Sequence, residues 1–190
     1  MRGFDQFIKT IGTFHSMKDD LDEDYYTDLE QIVNNVEEIV NNAMKQVSDC
    51  TGKYLHSLGN LGDKNPDEDT LLKIIDTVPS CLSYEDEDDE IPIQTAALYK
   101  ESVHYVPLLA KEGVKHNVGG DDARGGLLDN EYGDHNVFNN VLVSLACRAS
   151  MDESSETADP LYLDVMKKLR KSKLLLKEDI QDHNLLYWAC

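Results

Sequence analysis

Residues 91–117 read "IPIQTAALYKESVHYVPLLAKEGVKHN" and contain two apolar segments that are separated by a polar connection. Pro92 suits the first turn of a helix, because its missing N–H costs no hydrogen bond there. Ile93 and Ala97 lie four residues apart and therefore share one helix face. Gly113 suits a left-handed residue at the end of the second helix. The stretch predicts a pair of short helices.

Parts of this pattern recur along the chain. Ile75, in "LLKIIDTV" (71–78), lies 34 residues before Leu109, and each is the second residue of an apolar pair. A residue expected to end a helix follows each pair, Pro79 after the first and Gly113 after the second. The stretches "NVLVSLA" (140–146) and "NLLYWAC" (184–190) place a large apolar residue four positions before a small one. A small residue on a helix face lets a neighbouring helix approach closely. The recurrence predicts an array of stacked helix pairs.

These residues resemble the ankyrin repeat, whose first helix carries T-P-L-H-x-A-A and whose second helix ends in L-L-x-x-G. The whole chain also resembles the divergent ankyrin-like proteins of diatoms and related algae. The resemblance implies an all-α fold, an α-solenoid of degenerate ankyrin-like helix pairs, and a function in protein–protein interaction. The residues expected to form the repeat core are Ile75, Pro92, Ile93, Ala96, Ala97, Leu108, Leu109, Gly113, Leu142, Ala146, Leu186 and Ala189.

Several positions depart from the ankyrin pattern. Ile91 stands where Thr would cap the first helix, so a Thr at this position is expected to be neutral or stabilising. Gln94 stands where His would connect neighbouring loops by hydrogen bonds. Pro107 is expected about five residues inside the second helix, where it should remove one backbone hydrogen bond. Ala97 and Ala146 are 49 residues apart, whereas one ankyrin unit takes about 33.

The composition predicts three parts. Residues 1–56 form an N-terminal helical appendage, and apolar residues at helical spacing over 4–14 predict a short amphipathic helix within it. Residues 57–69, with two glycines and a proline, form a linker. Residues 70–190 form the degenerate repeats. The last repeat is expected to be incomplete, because its sequence stops at Cys190, after its first helix.

A long helix is predicted in the appendage. Thr27 and Glu30 match the capping-box pattern S/T-x-x-E, which predicts a helix from Asp28 to about Lys53. Its apolar stripe consists of Leu29, Ile32, Val33, Val36, Ile39, Val40, Ala43, Met44 and Val47. Two interpretations stay open, namely packing within the chain and coiled-coil pairing with a partner. The second would make the protein an oligomerising helical scaffold that self-associates through helix 28–53.

The charge limits the classes of partner. With 37 acidic and 18 basic residues, the formal net charge is −19. Such a chain repels phosphate backbones, so we expect neither nucleic acid nor an anionic membrane as a partner, and basic proteins are better candidates. No stretch approaches the roughly 20 apolar residues of a membrane span. Four scattered cysteines without a C-x-x-C pair fit a reducing compartment, the cytoplasm or the nucleus.

Two polar segments are expected to project from the array and contact another protein. They are the acidic run "YEDEDDE" (84–90) and the insert "VGGDDARGGLLDNEYGDHN" (118–136). The candidate partner-binding residues are Glu85, Asp86, Glu87, Asp88, Asp89, Glu90, Asp121, Asp122 and Arg124. The basic cluster "KKLRKSK" (167–173) is expected to be a solvated helix face, and contact with an acidic surface is its alternative.

The motifs indicate no catalytic, cofactor or metal residues. The segment 118–126 lacks the G-K-[ST] of a phosphate-binding loop, and the histidines never form H-x-x-x-H or H-E-x-x-H. No G-x-S-x-G sequence occurs. We therefore expect a protein that is not an enzyme, and an all-α hydrolase or metal-dependent enzyme is the alternative.

Overall fold

The computed structural model describes residues 9–13, 16, 23–119, 126–129, 131–132, 135–150 and 159–175, which are mostly helical. The longer helices are α1 (Glu23–His56), α2 (Glu68–Thr77), α3 (Pro92–Leu98), α4 (Val106–Lys115), α5 (Val137–Ser150) and α6 (Pro160–Lys171). Short 3-10 turns span Ser57–Asn60, Gly62–Lys64, Pro79–Ser83, Val103–Tyr105 and Leu127–Asp129. Strands β1 (Glu131–Tyr132) and β2 (His135–Asn136) form an antiparallel pair. Apart from this pair, the described residues confirm the expected all-α class.

Packing divides the chain into two compact units, residues 1–47 and 48–190. The division falls inside α1, so the last turns of this helix belong to the second unit. The segment 57–69, which the sequence predicts as a linker, contains two 3-10 turns, and its Leu58 is fully buried.

The predicted start of α1 is wrong. The helix begins at Glu23 and ends at His56, so Thr27 lies inside the helix and does not cap it. The pattern of Thr followed three residues later by Glu also occurs inside helices, so this pattern alone does not locate a helix start.

The helices of the second unit pack as two layers. In one layer, α3 contacts both the turn Ser57–Asn60 and α5. In the other layer, α4 contacts both α2 and α6. Contacts of α3 with α4 and of α5 with α6 join the layers. The turn Ser57–Asn60, α3 and α5 thus form one series of contacts, and α2, α4 and α6 form the other.

Helix α3 begins differently from the ankyrin pattern. Ile91 is the N-cap residue and is fully buried, and the side-chain Oε1 of Gln94 accepts a hydrogen bond from its backbone N–H at 2.9 Å. Gln94 thus supplies half of a capping box. Ile91 does stand at the N-cap position, as the sequence predicts, but its side chain belongs to the hydrophobic core. Its burial argues against a neutral or stabilising Thr at this position.

The predicted position of Pro107 within its helix was also wrong. Helix α4 begins at Val106, directly after the 3-10 turn Val103–Tyr105, so Pro107 occupies the first turn. The first four N–H groups of a helix have no partner within the helix. Pro107 therefore removes no hydrogen bond from α4.

Gly113 lies within α4 and is not the left-handed residue at its end. That residue is Asn117, with φ of 52°. The N–H of Val118 donates to the carbonyl of Gly113 at 2.9 Å, as in a Schellman motif. A Cβ atom at position 113 would lie 2.7 Å from Cγ of Leu127. Glycine is needed there because the turn Leu127–Asp129 approaches the helix closely.

Aspartates cap two of the helices. The carboxylate of Asp67 accepts the N–H of Thr70 at 2.7 Å, and this bond lowers the pKa of Asp67. The carboxylate of Asp159 accepts the N–H of Leu161 at 2.9 Å, which lowers its pKa, and it also pairs with Lys100 at 3.0 Å. The second aspartate thus connects the start of α6 to the chain that follows α3.

The residues expected to form the repeat core are largely buried. Those that are buried are Ile75, Pro92, Ile93, Ala96, Ala97, Leu109, Gly113, Leu142 and Ala146. Leu108 is half-buried. Leu186 and Ala189 lie outside the described residues. Burial places these side chains in the core, whereas their membership of ankyrin-like repeats stays a prediction.

Replacing Ile91 with Thr should lower the free energy of unfolding by about 1–2 kcal/mol, because the change removes buried apolar atoms and buries a hydroxyl group. Ile91→Val is the matched control, since it removes a single methyl group, and it should cost less. Urea unfolding followed by circular dichroism measures both changes. A stabilising Ile91→Thr would instead support the cap role expected from the sequence.

Candidate functional site

The acidic turn 84–90 connects the 3-10 turn Pro79–Ser83 to α3, and Asp86 organises its backbone. One carboxylate oxygen of Asp86 accepts the N–H groups of Asp88 and Glu90, both at 3.0 Å. The N–H of Asp86 donates to the carbonyl of Glu90 at 3.0 Å. Asp89 adopts a left-handed conformation, with φ of 58°. The turn is therefore a closed loop, and the hydrogen bonds to the carboxylate of Asp86 stabilise it.

His56, the last residue of α1, anchors this loop to the rest of the unit. Its Nε2 lies 3.1 Å from the carbonyl oxygen of Tyr84 and must donate, because a carbonyl only accepts. Its Nδ1 lies 2.7 Å from Oγ1 of Thr95 and 3.4 Å from Oδ2 of Asp86. In the neutral imidazole, Nδ1 accepts the hydroxyl proton of Thr95. One ring thus holds together the end of α1, the acidic turn and α3.

A close approach of the backbone supports the same anchor. A Cβ atom at Gly52 would lie 2.2 Å from Cβ of Tyr84. The ring of Tyr84 packs edge-on against His56, with centroids 5.9 Å apart. The first residue of the acidic run is therefore part of the packing against α1.

The acidic residues predicted to bind a partner fall into two groups. Those exposed to solvent are Glu85, Glu87, Asp88 and Asp89, whereas Asp86 and Glu90 are half-buried. The turn therefore presents four carboxylates on a backbone that Asp86 holds in place.

The insert 118–136 is only partly described. Asp121, Asp122 and Arg124 lie outside the described residues. Leu127 and Leu128 are 1% and 5% exposed. Its described centre packs into the core, which corrects the expectation that the whole insert projects from the fold.

In the N-terminal unit, the apolar stripe of α1 is incompletely covered. Four of its large side chains are between 41% and 67% exposed, namely Ile32, Ile39, Met44 and Val47. Val33, Val36 and Val40 are half-buried. The hydrophobic spacing that predicted the helix thus leaves an apolar face open to solvent.

A cluster of charged residues connects α2 to the end of α4. Nζ of Lys115 lies 2.7 Å from a carboxylate oxygen of Asp76 and 2.8 Å from one of Glu112. His116 Nε2 lies 2.9 Å from the same oxygen of Asp76. The hydrogen bond from Lys115 lowers the pKa of Asp76, and that bond raises the pKa of Lys115.

Asp76, Glu112 and His116 are close enough together to hold a metal ion. The ammonium group of Lys115, however, already pairs with both carboxylates. A cation at this site would have to displace Lys115. The geometry is therefore that of an ion-pair network, which stabilises the packing of α2 against α4.

Cys81 does not have the properties of a nucleophile. The residue is fully buried, and burial raises the pKa of its thiol to about 12. A reactive cysteine needs a substantial thiolate fraction near neutral pH. Cys81 is therefore a small apolar residue of the core.

Comparisons with protein-family models, with curated proteins and with solved structures found no match for this chain. The ankyrin resemblance consequently stays a hypothesis that depends on the residues quoted above. Among the described helices, none combines the length and the apolar character that crossing a membrane requires.

Replacing Asp86 with Ala should lower the free energy of unfolding by about 1–2 kcal/mol, because two backbone N–H groups lose their acceptor. Asp88→Ala removes the same charge from an exposed position and should change stability by less than about 0.5 kcal/mol. Thermal unfolding of the two variants under identical conditions measures the difference. Equal losses would mean that Asp86 does not hold the turn.

Proposed function

We propose that this chain is a protein–protein interaction module without catalytic activity, and that its second unit is a stack of degenerate ankyrin-like helix pairs. The packing of α3 beside α5, and of α4 between α2 and α6, supports the stack. The short first helix, Pro92–Leu98, and the longer second helix, Val106–Lys115, follow the order of an ankyrin unit.

The open apolar face of α1 carries the proposal of an interaction function. Ile32 and Ile39 are 58% and 67% exposed and lie seven residues apart, on the same side of the helix. Single exposed apolar residues are ordinary, but a contiguous apolar patch marks an interaction site more often than not. Covering this face would bury side chains that the chain itself leaves in water.

The leading partner is another protein with a basic surface. The exposed carboxylates of Glu85, Glu87, Asp88 and Asp89 form a compact negative patch on an ordered turn. The net charge of −19 would also steer basic molecules toward the protein. We expect the interaction with a basic protein to occur in the cytoplasm or the nucleus, because the scattered cysteines favour a reducing compartment.

Self-association through helix 28–53 is the second candidate function. Ile32, Val36, Ile39 and Ala43 follow a/d spacing. The positions that flank this seam on one side, Asn35 and Asn42, carry no charge. Two copies could therefore pair along this face without like charges opposing each other at these positions.

The double variant Ile32→Glu/Ile39→Glu tests both candidates in the full chain. Asn34→Glu/Asn41→Glu is the matched control, because it places the same charges on the opposite, exposed face of α1. Light scattering after size exclusion gives the oligomeric state, and affinity capture with quantitative mass spectrometry gives the bound proteins.

A wild-type dimer that becomes monomeric only in the isoleucine variant would establish self-association. A wild-type monomer whose captured proteins are lost only in that variant would support a different partner. A monomer with the same captured proteins in all three forms would contradict an interaction through this face.

A further inference from the structure

A groove with a volume of about 810 Å³ crosses α2, α4 and α6. Its apolar surface comes from the three helices and from the chain that follows α6, and consists of Leu72, Pro107, Leu108, Val114 and Leu174. The volume lies within the range of ligand-binding clefts. Because several helices contribute, the groove exists only where the second helices of the hairpins pack side by side.

The charges around this groove have the opposite sign to the charge of the chain. Lys111 from α4 and Lys168 and Lys171 from α6 line the groove. Lys168 pairs with Asp164 at 3.1 Å. Lys111 and Lys171 form no ion pair with any other residue in the described part of the chain. Two ammonium groups are therefore available beside the apolar floor.

The acidic residues of the groove offset the charge of these two lysines only in part. Glu112 is 8% exposed, and its carboxylate pairs with Lys115 at 2.8 Å. Glu68 also lines the groove, next to His104. Burial lowers the pKa of His104, so its ring adds no charge at neutral pH. The groove thus combines an apolar floor with a basic edge.

We propose that this groove binds an acidic amphipathic peptide segment of a partner protein. Apolar side chains of the segment would lie on Leu72, Leu108 and Leu174, and its carboxylates would pair with Lys111 and Lys171. Peptide segments commonly bind grooves between helices through apolar side chains repeated at helical spacing.

The concave apolar floor favours a peptide over a membrane or nucleic acid. Nucleic-acid binding depends mainly on phosphate contacts, and the apolar floor of the groove offers none. A bilayer surface would reach the lysines but not the floor of a concave groove. The inference rests on the proposed interaction function, and it uses a surface separate from the open face of α1.

Two fluorescein-labelled synthetic helical peptides test the proposal by fluorescence anisotropy with the full chain. Both carry leucines at helical spacing, and the remaining positions are mainly Glu in one peptide and mainly Lys in the other. The Glu peptide should bind wild-type protein. Lys111→Glu/Lys171→Glu should weaken this binding by about tenfold or more, because attraction at two positions becomes repulsion.

The matched control is Lys167→Glu/Arg170→Glu, which changes the net charge equally but alters exposed positions of α6 outside the groove. This control should weaken binding by less than about twofold. Lys111→Gln/Lys171→Gln is a milder second variant. Its affinity for the Glu peptide should lie between that of wild type and that of the charge-reversal variant. Circular dichroism confirms that each variant is folded.

Equal weakening by both charge reversals would overturn the proposal, because it would mean that only the overall charge matters. Failure of the Glu peptide to bind, or preferential binding of the Lys peptide, would overturn it too. Binding to phosphatidylserine vesicles that depends on Lys111 and Lys171, without peptide binding, would assign the groove to a membrane surface. Any of these outcomes leaves the test of α1 unaffected, so the two proposals can fail separately.

Discussion

The second unit depends on the burial of a helix only seven residues long. In α3, the side chains of Ile93 and Ala97 are inaccessible to solvent and Ala96 is 2% exposed. Because interiors are close-packed, a helix with alanines at its contacts lets α5 approach in a way that larger side chains would prevent. An isolated helix of this length is not stable in water. Its neighbours therefore stabilise α3, and α3 in turn fills the space between them.

Two of the features with functional potential, the acidic turn and the groove, follow from this packing. Thr95 on α3 contacts His56, which also contacts the acidic turn, so the position of the turn depends on where α3 lies. The second helices pack beside one another on the other layer, and the groove with its lysines lies across them. The result is a negative turn and a locally basic groove within one strongly acidic chain.

Much of the fold could be predicted from local sequence, because its signals are local. Pro92, the large-to-small spacing and the helix-ending Pro79 located α2, α3 and α5 correctly. The errors arose where similar local patterns have different structural meanings. The sequence predicts Pro107 inside a helix, because the 3-10 turn before it has no clear signature. It also predicts a cap at Gly113, whereas a contact with Leu127 is what requires glycine there.

The candidate site could be predicted only in part. Composition alone identifies the acidic run. It does not show that Asp86 accepts hydrogen bonds from the backbone of the turn, or that His56 anchors the turn. His56 and Thr95 are 39 residues apart, and no periodicity connects two such positions. The groove was missed for the same reason, because its lysines come from helices far apart in the sequence. Long-range contacts of this kind are properties of the folded chain.

The central claim is that α3 packs closely against its neighbours at Ala97, and the stability of Ala97→Leu tests it most directly. Inserting a larger side chain into a close-packed position should cost about 1–3 kcal/mol. Asn41→Leu, at an exposed position of α1 outside its apolar stripe, is the matched control and should change stability by less than about 0.5 kcal/mol. Thermal unfolding should show a clearly lower midpoint for Ala97→Leu alone. An unchanged midpoint for Ala97→Leu would contradict the close packing of α3 at this position.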